Sequence, residues 1–323
     1  MVIEKFLFPA PNPSHYTLDS HGEHLFWIPA GDDPVKTVPI PCMLYTPNRT
    51  AKYFTIFCHG NGCDIGSMHY LFDALSQQID SYILAFEYPS YGLCKGPIQP
   101  DRHTIDQHAE RAYTFVRETL QWPANRILMY GHSIGSGPAC HIASTKAVGG
   151  LILQSPYTSV NNVIRDKVSI LGYAIGTSYW NNLNAMKNIH CPTIFIHGQQ
   201  DNLISSNHSQ TLHDSLTHIH DKQLILVPNA DHNSISNNII LDNLERFLRN
   251  VFPKLEQSLP TVNIPLNLRI SPTQQEQSTT TATHISNLFT PLFEFSRASV
   301  NATRSTVESV FSKSSDKKLK NPE

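Results

Sequence analysis

The stretch that most constrains this chain is Gly131-His132-Ser133-Ile134-Gly135 together with its flanks. Before it runs Arg126-Ile127-Leu128-Met129-Tyr130, a short apolar run that reads as a buried strand. After it runs Ser136-Gly137-Pro138-Ala139-Cys140-His141-Ile142-Ala143, small and apolar enough to open a packed helix. A serine placed between strand and helix, with glycine two positions away on each side, calls for a very tight turn. Such a turn holds the serine backbone in a strained conformation, and side chains at 131 and 135 would collide there. The helix start then aims its backbone N–H groups at whatever reacts with Ser133. Pro138 is compatible with this only if the helix begins at the turn itself.

The rest of the chain narrows the class. At 323 residues it holds one large α/β domain with appendages, or two small domains. A formal net charge of −2, with neither half strongly basic, argues against nucleic acid as a partner. Cysteines stand at 42, 58, 63, 94, 140 and 191 without a C-x-x-C pair or zinc-ligand spacing. Several lie in apolar runs and read as buried free thiols in a reducing, cytoplasmic setting. The short apolar N-terminus is broken by Glu4 and Lys5, so it does not read as a signal peptide. No run approaches the ~20 apolar residues of a membrane span.

Strands and helices alternate from Phe54 onward. Continuous apolar runs at Phe54–Cys58, Tyr82–Phe86, Ile127–Tyr130, Leu151–Leu153, Thr193–Ile196 and Leu224–Val227 read as strands covered on both faces. Helical periods occupy 103–120 and 238–251. The fold class expected is therefore α/β, a mostly parallel sheet with helices on both faces. Ahead of it, 15–45 reads as two or three short strands, with Pro39 and Pro41 suggesting an edge position. The stretch 156–189 breaks the rhythm and reads either as a short cap or as a crossover helix with ordinary core packing. The main domain is expected over 1–253, and 254–323 reads as a Ser/Thr-rich, largely disordered tail. Within that tail Ile285–Phe295 forms an apolar island.

A serine hydroxyl is a weak nucleophile at neutral pH and needs a base, which in turn needs an acid to orient it. In folds of this kind the order is Ser, acid, His, each in a loop after a strand. Asp201 follows the run ending at Ile196, and His232 follows the run ending at Val227. Asp231 adjoins His232 and should point away from it, while Asp214 and Asp221 fall on the wrong side of the last strand. His132 should face away from the base site, and His197 ends its strand, where it packs or hydrogen-bonds. Two backbone donors are needed for the oxyanion. The N–H of Ile134, next to the nucleophile, is one; the N–H of Asn61, in His59-Gly60-Asn61-Gly62 after an early strand, is the other. His213, His218 and His220 cluster without carboxylates or cysteines, so no metal is expected, and no phosphate loop or dinucleotide fingerprint implies a cofactor.

With these residues placed, the chain resembles the α/β-hydrolase superfamily, and most closely the α/β-hydrolase-domain 17 group of protein depalmitoylases. The resemblance runs from about Phe6 to Val251. It is carried by Phe8-Pro9-Ala10-Pro11-Asn12-Pro13-Ser14-His15-Tyr16, His59-Gly60-Asn61-Gly62-Cys63-Asp64-Ile65-Gly66, Tyr88-Pro89-Ser90-Tyr91-Gly92, Tyr130–Gly135, Leu153–Ser159, His197-Gly198 with Asp201, and Asp231-His232-Asn233. It implies Ser133 as nucleophile, His232 as base, Asp201 as its orienter, and hydrolysis of palmitoyl thioesters on cytoplasmic proteins, with peripheral contact at membranes. One departure stands out. The group carries a lipidated N-terminal cysteine cluster, whereas here no cysteine precedes Cys42 and no Met-Gly start invites myristoylation. The alternatives are a soluble esterase or peptidase-like hydrolase for small acyl compounds, and a non-catalytic binding scaffold, against which the presence of all three candidate side chains argues.

Overall fold

The computed structural model describes residues 7–31, 37–168, 179–252 and 259–272. The chain divides into two compact units, Met1–Arg269 and Ile270–Glu323. All of the elements below belong to the first. The apolar island Ile285–Phe295 and the rest of the expected tail from 273 lie outside the described residues.

Eight strands form one sheet: β1 (Leu25–Ile28), β2 (Ile40–Tyr45), β3 (Tyr53–Cys58), β4 (Ser81–Phe86), β5 (Ile127–His132), β6 (Gly150–Gln154), β7 (Thr193–Gly198) and β8 (Lys222–Val227). Their spatial order is β1-β2-β4-β3-β5-β6-β7-β8. The β1–β2 and β2–β4 pairings are antiparallel and all the others parallel. The α-helices are α1 (His69–Ile79), α2 (Arg102–Thr114), α3 (Ser136–Thr145), α4 (Val160–Val168), α5 (Asn182–Ala185) and α6 (Asn207–Ser215), each between strands, and α7 (Asn237–Val251), after the last strand.

Successive side chains of a strand face opposite sides, so one run feeds two cores. Phe54, Ile56 and Cys58 of β3 pack with Ile105 and Ala109 of α2 and Ala139 and Ile142 of α3. Tyr53 and Phe57 of the same strand pack with Phe72 of α1 and Leu244 and Phe247 of α7. Helix α7 buries Ile240, Leu241, Leu244, Phe247 and Leu248, the stripe that its sequence period prescribes. Helix α2 starts at a capping box: the Asp101 carboxylate accepts from the Thr104 N–H at 2.7 Å, and the Asp101 N–H donates back to the Thr104 hydroxyl at 3.0 Å.

Two expectations need correcting. Pro41 does not lie on an edge strand, because β2 is flanked by β1 and β4. Proline lacks a donor, but its carbonyl still accepts from the Glu87 N–H at 3.0 Å, and it stands second in the strand, before the β4 ladder begins at Cys42. The main domain also runs past 253, to Arg269. There Ile264 is buried, the Val262 N–H reaches the Tyr82 hydroxyl at 3.4 Å, and the Arg269 guanidinium donates to the Glu23 carbonyl at 2.7 Å. Isolated apolar residues in a polar stretch carry no period, so that docking left no pattern to read.

The sheet order reverses between β3 and β5: β4 lies on one side of β3 and every later strand on the other. A parallel sheet opens a crevice at the carboxyl ends of its strands where its winding reverses, and ligands bind there. Cys58 is in register with Gly131, so the loop after β3 and the turn after β5 emerge side by side at that point.

Candidate active site

Ser133 stands at the end of β5, opening a 3₁₀ turn (Ser133–Gly135) that runs straight into α3. Its φ is +53°, in the left-handed region that costs a non-glycine residue energy. Steric reasons for both glycines are explicit. A Cβ on Gly131 would lie 2.6 Å from the Ser136 Cα, and one on Gly135 would run into the Cys58 carbonyl. Pro138 falls within the first turn of this helical run, where a missing N–H costs nothing. The turn is tied from behind. The Ser136 hydroxyl donates to the Ser133 carbonyl at 2.7 Å, Asn182 donates to the Ser136 hydroxyl at 3.1 Å, and the Tyr157 hydroxyl donates to the Ile134 carbonyl at 3.3 Å.

The three side chains singled out from sequence meet, from loops after three different strands. His232 Nε2 is 2.9 Å from Ser133 Oγ, and His232 Nδ1 is 2.6 Å from Asp201 Oδ2. A carboxylate can only accept, so Nδ1 carries the hydrogen and Nε2 keeps its lone pair for the serine hydroxyl. The other carboxylate oxygen, Oδ1, accepts the N–H groups of Leu203 at 2.8 Å and Ile204 at 2.7 Å. Burial alone would push the Asp201 carboxyl up. Hydrogen bonds from His197, His232 and the Ile204 amide outweigh it and hold the group well below the usual carboxylate range. Asp201 is therefore ionised throughout the range in which an imidazole titrates.

The residues set aside behave as their positions suggest. Asp231 Oδ1 accepts from the Asn233 and Ser234 N–H groups in its own turn, away from the imidazole. Asp214 is bound to Gln210 and His213 on α6. His132 is a correction. Its ring does not turn away but lies nearly parallel to that of His232, with centroids 5.9 Å apart and planes at 24°. Both His132 nitrogens are buried and, among the described residues, lack a hydrogen-bond partner. Burial, and then the neighbouring His232 and His59, push this imidazole down to about 3, so it stays neutral.

Asn61 lies in the loop after β3. Its side chain donates to the Leu7 carbonyl at 2.5 Å and accepts from the Tyr91 hydroxyl at 2.8 Å. Among the described residues the backbone N–H of Asn61 makes no backbone hydrogen bond. Asp64 further anchors this loop to the N-terminal arm, accepting from the His15 N–H at 2.7 Å and the Ser14 hydroxyl at 3.1 Å. Within 156–189, Tyr157, Trp180 and Asn182 lie against the turn. Trp180 packs against Gly137 and donates to Asp106 at 2.8 Å, while 169–178 lie outside the described residues. Among the described residues no group of His, Cys, Asp and Glu is placed to hold a metal, and no helix is long and apolar enough to cross a membrane.

Sequence reading passed over His197 and the buried pair of His132 nitrogens as participants. A histidine at a strand end carries no signal beyond its position, and a ring's neighbours are a tertiary matter.

Comparison with known proteins agrees with this architecture. A putative α/β hydrolase of Acanthamoeba polyphaga mimivirus is 29% identical over 221 residues, covering 68% of this chain and 80% of that protein. Human α/β hydrolase domain-containing protein 17B is 28% identical over 173 residues, covering 54% of this chain and 58% of its own length. This chain thus spans most of the viral relative but little more than half of the human one. Among solved structures, a Pyrococcus furiosus esterase superposes with a TM-score of 0.58 at 16% identity, covering 75% of this chain and 98% of the esterase. A soluble variant of monoglyceride lipase from Saccharomyces cerevisiae superposes with a TM-score of 0.54 at 16% identity, covering 74% of this chain and 98% of the lipase. A family profile described as PhoPQ-activated pathogenicity-related protein matches residues 169–286.

Proposed function

We propose that this chain is a serine hydrolase of the α/β-hydrolase superfamily that acts on acyl thioesters and esters and removes palmitoyl groups from S-acylated proteins. The single observation that carries the chemistry is one imidazole within hydrogen-bond reach of both a strained serine hydroxyl and an ionised carboxylate. Ser133 Oγ attacks the acyl carbonyl as His232 Nε2 takes its proton. Asp201 remains ionised and stabilises the imidazolium that forms. The negative charge on the carbonyl oxygen is met by the N–H groups of Asn61 and Ile134, each worth about 3 kcal/mol in the transition state. Their lack of reorganisation is what makes them effective, and the tied turn and the anchored loop supply it. A thiol leaving group, with an ordinary pKa of about 8.5, departs with little help from an acid. The imidazolium passes its proton to the departing thiolate, and the neutral His232 then deprotonates the water that clears the acyl-enzyme and returns that proton to Ser133 Oγ.

The palmitoyl-protein substrate class rests on the resemblance in the loop and turn motifs. The test is labelling of the purified chain with a fluorophosphonate probe, competed by a long-chain acyl thioester, with Ser133→Ala as control. Labelling that survives Ser133→Ala removes the serine mechanism. Faster turnover of short soluble esters than of matched palmitoylated peptides moves the substrate class to small acyl esters and leaves the mechanism standing.

A further inference from the structure

The acid of the proposed site is held by more than its partner imidazole. Asp201 Oδ2 meets a second histidine: His197 Nε2 is 3.1 Å from it and 2.8 Å from the Ile204 carbonyl. Carboxylate and carbonyl oxygens only accept, so Nε2 of His197 carries a hydrogen shared between them. In the neutral ring Nδ1 is then the acceptor, and the Ser209 hydroxyl sits 2.7 Å from it. His197 and Ser209 are both fully buried, one on β7 and the other on α6. The same place joins the two loops of the site. The Gln200 N–H donates to the Ala230 carbonyl at 2.8 Å, and a Cβ on Gly198 would strike the Ala230 carbonyl.

We infer that His197 is a positioning residue for this site, whose Nε2–H, steadied by Ser209, fixes the carboxylate of Asp201 and takes up part of the charge it would otherwise turn on His232. The inference rests on the roles proposed above for Ser133, Asp201 and His232. Two N–H groups compete for one oxygen, His232 at 2.6 Å and His197 at 3.1 Å. Removing the His197 donor leaves more of the carboxylate's charge facing His232. The acid limb of the pH–rate profile therefore moves to higher pH. Loss of the tie to Ile204 also loosens the acid loop, and misplacement on the scale of 1 Å lowers rates by about tenfold to hundredfold. The titratable groups around the pair are His132 beside His232, Asp231 near Asp201, and His208 near His197, the last paired with Asp166 at 3.2 Å.

The experiment is the rate of fluorophosphonate inactivation of the full chain between pH 5 and 9, for wild type, His197→Leu, His197→Gln and His197→Asn. A glutamine amide nitrogen falls near the place of Nε2, and an asparagine amide nitrogen near that of Nδ1. Expected are a tenfold to hundredfold loss in His197→Leu with an acid limb moved to higher pH, most of that loss recovered in His197→Gln, and little recovered in His197→Asn. An unmoved acid limb, or equal losses in the glutamine and asparagine variants, overturns the inference. If the leucine variant does not fold, the two amides, matched in polarity, decide. Ser133→Ala and His232→Ala run alongside. Labelling that ignores them removes the hydrolase reading, whereas labelling that needs them with an unmoved limb removes only the role of His197.

Discussion

The two halves of the site are held in place by different means. The half that holds Ser133, the proposed nucleophile, comes from β3 and β5 in the middle of the sheet, where Cys58 and Gly131 are paired neighbours and both strands are buried almost throughout. The half that holds Asp201 and His232, the proposed acid and base, comes from β7 and β8, and β8 is the last strand, with most of its residues only half-buried. In the first half, backbone sterics set the position of the reacting atom: Ser133 is fixed by two glycines that admit no Cβ. In the second half, side-chain hydrogen bonds do the work, through Leu203, Ile204, His197 and His232 around one carboxylate. A central pair of strands cannot shift without disturbing both cores, so it suits the atom that must be placed most accurately. The acid and base sit in the loops after β7 and β8, where polar ties to one carboxylate set their positions.

This contrast can be broken by substitution. Ser133→Ala should abolish turnover and probe labelling, a loss of about 10⁶ in kcat, with unfolding temperature unchanged. His232→Ala should cost nearly as much, and the double variant little more, because the two act as a unit. Asp201→Asn should keep the fold and lower kcat about 10⁴-fold, since an amide donating to Nδ1 would leave the hydrogen on the wrong nitrogen. Steady-state kinetics on a palmitoyl thioester with thermal unfolding alongside measures all three. Gly135→Ala acts on the other half and by another route. Its Cβ meets the backbone of Cys58, which cannot give way, so stability should fall by about 3 kcal/mol in urea titration. An acid-loop substitution that cost as much stability as Gly135→Ala would show that the two halves are not built differently after all.

The smallest effect is expected at His132, where the halves touch. His132→Phe keeps a flat ring beside His232 and removes two buried nitrogens without partners, so stability at neutral pH should rise by about 1 kcal/mol. The sign of its pH dependence follows from the depressed basicity. In the window from about 6.5, the unfolded value, down to about 3 in the folded chain, the unfolded state binds a proton that the native ring does not. Wild-type stability therefore falls as pH drops through that window, and the phenylalanine variant should lose less. Its advantage should widen from pH 7 to pH 4 in urea titrations. A constant advantage would mean that the His132 ring is not kept neutral.

The meeting of Ser133, Asp201 and His232, the proposed nucleophile, acid and base, was legible because each follows an apolar run, and a parallel sheet sends all such ends to one side. The spacing of α7 and the tight turn at Ser133 were equally plain, being local. Pro41 misled, because a missing donor says only that one ladder bond is absent and not which side of the strand is open. The docking of 259–269 left no trace, since its few apolar residues find their partners far away in sequence. His132 and His197 were visible as residues but not as participants.

By itself the sequence determined the fold class, the strained turn, and which three side chains follow strand ends, because backbone sterics and hydrophobic periodicity act over a few residues at a time. Only the tertiary structure decided that His197 shares the acid with His232, that His132 stacks where it was expected to turn away, and that the N-terminal arm grips the loop of Asn61. Those contacts join side chains from separate elements, and their geometry depends on how the sheet twists and how its loops close, which no short stretch of chain encodes.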